Sequence, residues 1–343
     1  MKSILEAPDL KGKCVLVRVD WSVPTSDGKV INDYQIRKSF PTIKYLQKAG
    51  AKITLVSHTE KDDDSLLPIY KCVKELLPEL TFVKPSDLVL LENLRQDKGE
   101  KENSKEFAKK LAGLGDIFVN EAFPVSHREH ASIVGVPEFL PSYAGLQLVL
   151  EVKTLSKAFY PMHPFLFILG GAKFDTKLPL LKKFINIADW IFVGGALAHN
   201  FFKILGKDIG DSLVSDDDFE LKELLDTGKI ILPEDTIVED KKIMDAGPIT
   251  IESLKLKIAS SKLVLWNGPL GSYERGYKVA TLQLAKFIVE SGKESIIGGG
   301  DTLAAVEELN LFDKFSFVST GGGAMLEFLA TGTLPGIEAL SRK

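Results

Sequence analysis

Residues 165–173 read FLFILGGAK, a run of five large apolar residues followed by two glycines, an alanine and a lysine. Five apolar residues match the length of a buried β-strand and are too few for a buried helix. The same order recurs along the chain: a short apolar run, a polar or glycine-rich break, and then an amphipathic stretch. This alternation is typical of α/β folds with a mostly parallel sheet.

The strands are predicted at the short apolar runs. They are Cys14–Val19, Ile53–Val56, Leu88–Leu91 and Ile117–Val119 in the first half, and Phe165–Leu169, Trp190–Val193, Leu263–Trp266, Ser295–Ile297 and Phe315–Val318 in the second. Between the strands, Ser104 is predicted to cap a helix that Gly115 closes. Another helix is predicted from Ile36 to Gly50, with a kink or a new start at Pro41.

The two halves predict two doubly wound parallel-sheet domains of the Rossmann-like kind, which is an α/β architecture. The segment Leu146–Phe159 carries apolar side chains at helical spacing and contains no turn signal, so we expect a rigid helix that joins the domains. The predicted boundaries are 1–147 for the first domain, 148–160 for the connecting helix and 161–332 for the second domain. A chain of 343 residues is long enough for two such domains.

The composition excludes several classes of protein. With 43 Lys and Arg against 47 Asp and Glu, the net charge of −4 argues against nucleic acid or a membrane surface as the main partner. Hydrophobic residues at 45% exclude a mainly disordered chain. The cysteines, Cys14 and Cys72, cannot build a disulfide framework. Because the sequence starts without an apolar leader and has no bilayer-length apolar stretch, it predicts a soluble, cytoplasmic protein. No heptad pattern demands association, so a monomer is expected.

Ligands of open α/β sheets bind at the carboxyl ends of the strands, and in the first half these ends carry polar and charged side chains. The candidates are Asp20, Ser57-His58, Glu92-Asn93 with Arg95, Asn120-Glu121, and His127-Arg128 with His130. Imidazole, guanidinium and amide groups at one sheet edge suit a small anionic ligand such as a phosphorylated carboxylic acid. The alternative interpretation is that they are ordinary polar residues at the start of loops.

In the second half the strands are followed by glycines. They are Gly170-Gly171, Gly194-Gly195, Gly268 with Gly271, Gly298–Gly300 and Gly321–Gly323. Glycine at a strand-to-helix junction lets backbone N–H groups approach phosphate, and the following helix presents its positive end. One such segment would only mark a tight turn, whereas the whole series predicts a polyphosphate cradle.

Side chains beside these glycines predict how a nucleotide is held. Lys173 and Lys177 are four residues apart on one predicted helical face, so both are expected to reach the same phosphates. Asp301 and Thr302 directly follow Gly298–Gly300 and are predicted to meet a magnesium nucleotide. Neither a Walker loop nor a Gly-x-Gly-x-x-Gly segment after a strand occurs. The combined prediction is phosphoryl transfer across a cleft between an anion-binding domain and a nucleotide-binding domain.

Several segments, in order along nearly the whole chain, resemble the phosphoglycerate kinase family. They are Arg18–Pro24, Leu91–Arg95, Gly170–Lys173, Trp266–Gly271, Gly298–Thr302 and Ser319–Ala324. The resemblance implies a bilobal, hinge-closing kinase of glycolysis that exchanges a phosphoryl group between 1,3-bisphosphoglycerate and ADP. It also implies that Mg²⁺ accompanies the nucleotide, and that the tail, residues 333–343, returns to the first, acceptor-binding domain.

The resemblance also assigns roles position by position. The ligands of 3-phosphoglycerate correspond to Asp20, Ser22, His58, Lys61, Arg95 and Arg128. The nucleotide site corresponds to Gly171, Lys173, Lys177, Asn267, Glu274, Gly298, Gly299, Gly300, Asp301 and Thr302, with Asp301 as the magnesium residue, directly or through the nucleotide. The catalytic positions correspond to Lys173, Gly299, Gly322 and Gln35.

The acceptor half departs from the family pattern. Gln35 stands where the family has a catalytic arginine, and Lys61 stands where it has the arginine of a Ser-His-Leu-Gly-Arg-Pro turn. Arginine fingers are worth about 10³–10⁵ in the rate of phosphoryl transfer, so an uncompensated loss would nearly silence turnover. Arg37 is two positions along and would point about 200° away on a helix, so we do not expect it to take over the role of the missing arginine.

Three hypotheses therefore stay open. The first is a working phosphoglycerate kinase with a substituted acceptor site, which we favour because the other basic ligands and the nucleotide cradle remain. The second is a nucleotide-binding homologue with lost or strongly reduced catalysis. The third is a related kinase with a different carboxylate acceptor, which the altered residues around Lys61 keep open.

Overall fold

The computed structural model describes residues 1–215 and 221–341. The chain folds into two compact units, one made of Met1–Lys153 with the segment from Thr331 onward, and the other of Thr154–Ala330. No helix among the described residues combines the length and the apolar character needed to cross a bilayer.

The first unit is built around a parallel sheet. Its strands and helices are, in chain order, β1 (Cys14–Arg18), β2 (Thr25–Ser26), β3 (Lys29–Val30), α1 (Tyr34–Lys48), β4 (Lys52–Val56), α2 (Leu67–Leu76), β5 (Thr81–Phe82), β6 (Leu88–Leu90), α3 (Lys98–Lys101), α4 (Lys105–Ala112), β7 (Ile117–Asn120), β8 (Ser142–Ala144) and α5 (Leu146–Leu155). Short 3-10 turns lie at Ile4–Glu6, Leu94–Gln96, Phe123–Val125, Val136–Glu138 and Ser156–Phe159, and a π-helical turn at Ala131–Gly135.

Six strands form this sheet in the order β5-β6-β4-β1-β7-β8, and every neighbouring pair is parallel. Cys14 lies opposite Lys52 on one side of β1, and Val15 lies opposite Ile117 on the other. The chain therefore starts in the middle of the sheet and moves outward in both directions, which is the doubly wound arrangement. The strands β2 and β3 form a separate antiparallel hairpin.

The second unit repeats this plan. Its elements are β9 (Phe165–Leu169), α6 (Phe174–Phe184), β10 (Trp190–Val193), α7 (Leu197–Ile204), α8 (Leu221–Asp226), β11 (Ile230–Ile231), β12 (Thr236–Glu239), β13 (Lys242–Ala246), α9 (Pro248–Ser260), β14 (Leu263–Asn267), α10 (Val279–Ser291), β15 (Glu294–Gly298), α11 (Gly300–Glu308), β16 (Phe317–Val318) and α12 (Gly322–Thr331), with 3-10 turns at Tyr273–Arg275 and Phe312–Lys314. The last helix, α13 (Pro335–Ala339), belongs to the first unit.

The second sheet has the order β11-β10-β9-β14-β15-β16 and is also parallel throughout. The run Phe165–Leu169 forms β9, an interior strand between β10 and β14, and is buried at every position, as expected for a strand covered on both faces. Phe184 of α6 packs on this strand, with its ring centroid 5.0 Å from that of Phe167. The prediction of two doubly wound α/β sheets is confirmed.

The nine predicted strands are all present in the structure, most of them within one residue of their predicted ends. The sequence did not predict the edge strands β5, β8 and β11 or the hairpins β2–β3 and β12–β13. These strands are two to five residues long and all except β11 contain polar residues, so none carries an apolar run of strand length. The predicted connecting helix is α5 followed by a 3-10 turn, Ser156–Phe159.

Two helix predictions need correction. The helix capped by Ser104 ends at Ala112 with Gly113 as its C-cap, not at Gly115. The helix α1 runs through Pro41 without a new start, because Pro41 lies on the exposed side, where water can hydrate the carbonyl group that the proline leaves unpaired.

Candidate functional site

In the first unit, β1 and β7 are neighbours at the point where the strand order reverses, which is where doubly wound sheets bind ligands. Asp20 lies two residues beyond β1 and is only 6% exposed. Its Oδ1 accepts the backbone N–H of Ser22 at 3.1 Å. Burial raises the pKa of Asp20, while the charge of Arg18 and a hydrogen bond from Gln35 favour its ionised form. The carboxylate is therefore held from several sides.

Gln35 lies in the first turn of α1 and is half-buried. Its side chain reaches Asp20, so this position faces the carboxyl end of β1. Arg37 is exposed and pairs with Asp33 at 2.7 Å on the outside of the helix. The expectation that Arg37 does not replace the missing guanidinium stays a prediction, and the outward pairing of Arg37 favours it.

His58 lies two residues beyond β4, and its Nδ1 is 3.0 Å from Nη2 of Arg18. An arginine can only donate, so Nδ1 of His58 accepts and its single proton sits on Nε2. Burial and the nearby charge of Arg18 hold the pKa of His58 far below its usual value. His58 is therefore a neutral hydrogen-bond donor through Nε2.

Arg95 follows β6 in a 3-10 turn and is half-buried. Its Nη1 donates to the carbonyl oxygens of Thr59 and Glu60 at 3.2 and 3.4 Å, whereas its buried Nε has no hydrogen-bond partner among the described residues. The loop that Arg95 touches is also held by Asn93, whose Nδ2 donates to the carbonyl oxygen of Asp62 at 2.9 Å. A half-buried guanidinium whose buried Nε–H has no partner is suited to an anion.

His127 and His130 join these groups; the sequence placed them among the strand-end candidates, although the family resemblance assigned them no ligand role. Burial and neighbouring cations lower the pKa of each to about 4. Each has a buried Nδ1 that lacks a hydrogen-bond partner among the described residues. The cations that act on His130 include Arg95, Arg18 and Arg128. The signal in the sequence was the pair of histidines on either side of Arg128.

The remaining predicted ligands of the first unit are at its surface. Ser22 is half-buried, while Lys61 and Arg128 are exposed. The hydrogen bonds at Lys61 use its carbonyl oxygen, which accepts from Oγ1 of Thr59 at 2.6 Å and Nδ2 of Asn93 at 3.3 Å. These bonds shape the loop and leave the ammonium group of Lys61 in solvent.

Two strand-end candidates have structural partners instead. Asn120 is fully buried, and its Nδ2 donates to Oγ of Ser126 at 3.1 Å. Glu121 accepts the first N–H groups of α5, from Gln147 at 3.2 Å and Leu148 at 3.5 Å, and the hydroxyl of Thr42 at 2.6 Å. Burial raises the pKa of Glu121 to about 8. Both residues therefore stabilise the structure at the carboxyl end of the sheet through these hydrogen bonds.

In the second unit, the glycine segments follow strands that are neighbours in the sheet, in the order β10-β9-β14-β15-β16. Backbone hydrogen bonds join the segments, with Gly170 N–H donating to Asn267 at 2.9 Å and Gly171 N–H donating to Pro269 at 2.8 Å. A Cβ on Gly268 would lie 2.3 Å from the carbonyl oxygen of Gly170, so this approach requires a glycine. The glycine loops lie side by side at one edge.

Two helices begin at this edge. Gly299, with φ +107°, precedes α11, and Gly300 is the first residue of that helix. Gly322 is the first residue of α12, and the nearest atoms to a Cβ placed on it are Cα of Gly299 and N of Gly300, both 3.9 Å away. Two helix N-termini therefore meet over open space, which is an arrangement suited to a phosphate group.

Lys173 and Lys177 differ more than their spacing predicted. Lys173 is exposed and precedes α6 as its N-cap, so it is not on the helix itself. Lys177 is 6% exposed, and its Nζ donates to the carbonyl oxygen of Gly170. Burial lowers the pKa of Lys177 to about 8, while the charge of Asp301 favours the ammonium form. Both lysines are near the glycine edge, but only Lys177 is packed into it.

The other predicted nucleotide residues lie around the same edge. Asn267 ends β14 and is buried, and Gly298 ends β15. Glu274 lies exposed in a 3-10 turn. The hydroxyl of Thr302 accepts the N–H of Gly268 at 2.9 Å, so it joins two of the glycine loops.

Asp301 is the exposed carboxylate in the first turn of α11. Among the described residues, no three His, Cys, Asp or Glu side chains are grouped so that they could hold a metal ion. Mg²⁺ keeps several waters and takes one or two carboxylates together with substrate phosphates. One carboxylate beside a phosphate-binding edge therefore fits an ion that arrives on a nucleotide, and does not fit a resident metal centre.

Comparison with known proteins agrees with this arrangement of residues. Residues 5–332 match the family model described as phosphoglycerate kinase. The phosphoglycerate kinase of Dictyoglomus turgidum is 40% identical over 393 aligned positions that cover 100% of this chain and 99% of that protein. The enzyme of Thermosipho africanus is 42% identical over 388 positions that cover 98% and 96%. The alignments are longer than the chain, so this protein lacks segments that these relatives have.

Solved structures give the same result. The structure of phosphoglycerate kinase from Coxiella burnetii has a TM-score of 0.85 and 33% identity over 99% of this chain and 98% of the other. That of phosphoglycerate kinase from Pyrococcus horikoshii also has a TM-score of 0.85, with 28% identity and the same coverage. The chain belongs to the phosphoglycerate kinase family.

Proposed function

We propose that this protein transfers a phosphoryl group reversibly from 1,3-bisphosphoglycerate to MgADP, giving 3-phosphoglycerate and ATP. The observation that carries the proposal is the family match over residues 5–332, which includes both the basic residues of the first unit and the glycine edge of the second. The reaction needs little covalent chemistry from the protein, because phosphoryl transfer is catalysed mainly by positioning and by charge stabilisation.

We assign the acid to the basic residues at the carboxyl end of the first sheet. Arg95 and His58 are the groups best placed to donate, since Nε of Arg95 is unpaired and Nε2 of His58 carries a proton. Asp20 and Ser22 orient the acid, while Arg128 and Lys61 bring charge from the surface. Support for this assignment comes from the cluster of arginine charges that help to lower the pKa of His130 and of His58.

We assign the nucleotide to the glycine edge of the second sheet. The backbone N–H groups at Gly299 and Gly322 would hold phosphate oxygens, with Gly171 beside them and Lys173 and Lys177 as their counter-charges. Asn267 and Glu274 would contact the nucleoside. Mg²⁺, when bound on the phosphates, neutralises their charge, and Asp301 would hold it directly or through its waters.

Gln35 is the departure that bears on the rate. In the transition state, negative charge spreads over the oxygens of the moving group, and a guanidinium at this position would stabilise it. The neutral amide of Gln35 donates weaker hydrogen bonds and is engaged with Asp20. We therefore propose an active enzyme that turns over slowly, acting as a monomer in the cytoplasm.

The test is a coupled assay that supplies 1,3-bisphosphoglycerate and MgADP and measures ATP, together with calorimetric titrations of 3-phosphoglycerate and MgADP. The expected result is ATP formation and binding of both ligands. If MgADP binds while 3-phosphoglycerate neither binds nor turns over, the proposed acceptor is wrong. Light scattering after size-exclusion chromatography tests the monomer.

A further inference from the structure

Four residues of the first unit form one buried chain of hydrogen bonds that ends on His58. Nε of Arg18 donates to Oγ of Ser132 at 2.8 Å, and Nη2 of Arg18 lies 3.0 Å from Nδ1 of His58. Oγ of Ser132 donates to Oε1 of Glu100 at 2.6 Å, and the backbone N–H of Ser132 donates to Oε2 at 2.9 Å. The first three side chains are fully buried and His58 is 3% exposed.

The position of each proton in this chain follows from the chemistry of its ends. An arginine has only donors, and a carboxylate has only acceptors. The hydroxyl oxygen of Ser132 accepts from Arg18, so its hydrogen goes to Glu100. The other branch of the guanidinium donates to Nδ1 of His58, which leaves the imidazole proton on Nε2.

This chain of hydrogen bonds connects residues that lie at or beyond the ends of different strands. Arg18 ends β1, Glu100 lies in α3 after β6, and Ser132 lies in the π-helical turn Ala131–Gly135 after β7. Such π-helical turns are frequent at functional sites. Oε1 of Glu100 also lies 3.7 Å from Nδ1 of His130, so the carboxylate is close to a second basic side chain besides acting on Arg18.

We propose that Glu100 and Ser132 are positioning residues that hold Arg18 so that His58 is locked as its Nε2–H tautomer, a donor to the anionic groups of the acid. The ligand in this statement rests on the proposed function, whereas the tautomer does not. The opposite tautomer would present a nitrogen lone pair to an anion, which is repulsive. Burying opposite charges is costly unless their hydrogen bonds are complete, and both oxygens of Glu100 accept hydrogen bonds from Ser132.

The first test is the tautomer of His58 in the unaltered protein, read from the ¹⁵N shifts of labelled histidine. The chain has only five histidines, and a His58→Gln variant assigns the signal. The expected result at pH 7 is an unprotonated Nδ1 and a protonated Nε2. A protonated Nδ1, in either the neutral or the charged ring, overturns the proposal without reference to activity.

The second test uses Ser132→Ala and Glu100→Gln. The glutamine keeps the volume but replaces one acceptor oxygen of the carboxylate by an NH₂ donor. Both are expected to mix the two tautomers and to raise KM for 3-phosphoglycerate about tenfold, with KM for MgATP unchanged. Ser132→Thr keeps the hydroxyl and is expected to keep the single tautomer. Ser261→Ala, which removes a buried serine hydroxyl of the other unit that donates to the carbonyl oxygen of Lys257 at 2.7 Å, is the control.

A folded Ser132→Ala protein with the single tautomer and unchanged KM values contradicts the proposal, and so does an equal change in the Ser261→Ala control. Should Glu100→Gln fail to fold, Ser132→Ala and the unaltered protein still decide it. If the unaltered protein shows no turnover of 3-phosphoglycerate, the proposed function fails, while the tautomer measurements still test the positioning role.

Discussion

The side-chain amide of Gln35, in the first turn of α1, faces the buried carboxylate of Asp20 just beyond β1 and favours its ionised form. An arginine at position 35 would place a permanent charge and a forked set of donors beside that carboxylate. Asp20 still faces Arg18 and Arg95, so its ionised form keeps favourable partners without position 35. Glutamine at position 35 therefore removes one positive charge from the carboxyl end of the first sheet, while Asp20 keeps its other partners.

Restoring the arginine tests how much the missing charge lowers the rate of phosphoryl transfer. Gln35→Arg is expected to raise kcat, by up to about 10³-fold, because a guanidinium stabilises the charge on the transferring group. Steady-state ATP formation from 1,3-bisphosphoglycerate measures it. Gln35→Lys supplies the charge without the fork and should give a smaller gain. A folded Gln35→Arg protein with an unchanged or lower kcat would show that position 35 is not limiting.

Asp301 is predicted to serve the magnesium nucleotide. Asp301→Ala should lower kcat/KM for MgADP at least about tenfold and weaken the dependence of the rate on Mg²⁺ concentration, since the ion loses its carboxylate contact. The fold should be retained, because the side chain is exposed. Glu307→Ala, near the other end of α11, is the matched control. Equal kinetics in both variants would remove Asp301 from the mechanism.

Thr302 is predicted to hold the loop at Gly268 in place. Thr302→Val keeps the volume but leaves the buried N–H of Gly268 without its acceptor, at a cost of about 1–3 kcal/mol in the free energy of unfolding. Urea denaturation measures the loss. Thr302→Ser keeps the hydroxyl and should lose much less, so similar losses in the two variants would point to packing instead of the hydrogen bond.

Glu121 predicts a pH dependence of stability. Its pKa is raised from 4.5 to about 8, so between these values the folded state keeps a proton that the unfolded state has released. Stability from this group therefore falls as pH rises from about 4.5 to 8. Glu121→Gln, which cannot ionise, should flatten the pH profile of the free energy of unfolding over this interval.

Glu129→Gln, an exposed acid of the same unit, is the control for Glu121 and should keep the original profile. A profile for Glu121→Gln that falls as steeply as that of the unaltered protein would assign the slope to other groups. Chemical denaturation at a series of pH values, followed by far-UV circular dichroism, supplies both profiles.

Much of the fold was predictable from local patterns. The run Phe165–Leu169 is a strand because five large apolar residues can be buried on both faces only in a covered sheet. The strand β11 (Ile230–Ile231) was not predicted, because a two-residue edge strand is defined by its neighbour and not by its own sequence. Pro41 misled the prediction for α1, since the cost of a proline depends on whether water reaches the unpaired carbonyl group.

The candidate site was predictable in part. The glycine series and the residues after each strand were found because carboxyl ends of parallel strands meet at one edge. Arg18, Glu100 and Ser132 were not found as a group, because a strand arginine, a helix glutamate and a turn serine carry no common motif. Lys173 and Lys177 were treated as equivalent by their spacing, but α6 begins after Lys173 and buries only Lys177.

The sequence by itself determined the α/β class, the two parallel sheets, the family and the substitution at Gln35, since apolar runs, glycine positions and residue identities are local properties. The tertiary structure alone decided that Gln35 faces Asp20, that Thr302 accepts the N–H of Gly268, and that Ser132, 114 residues from Arg18, bonds the guanidinium that contacts His58. The physical reason is that burial and hydrogen-bond geometry arise from packing between distant segments, and these two quantities determine which polar group remains free to bind a ligand.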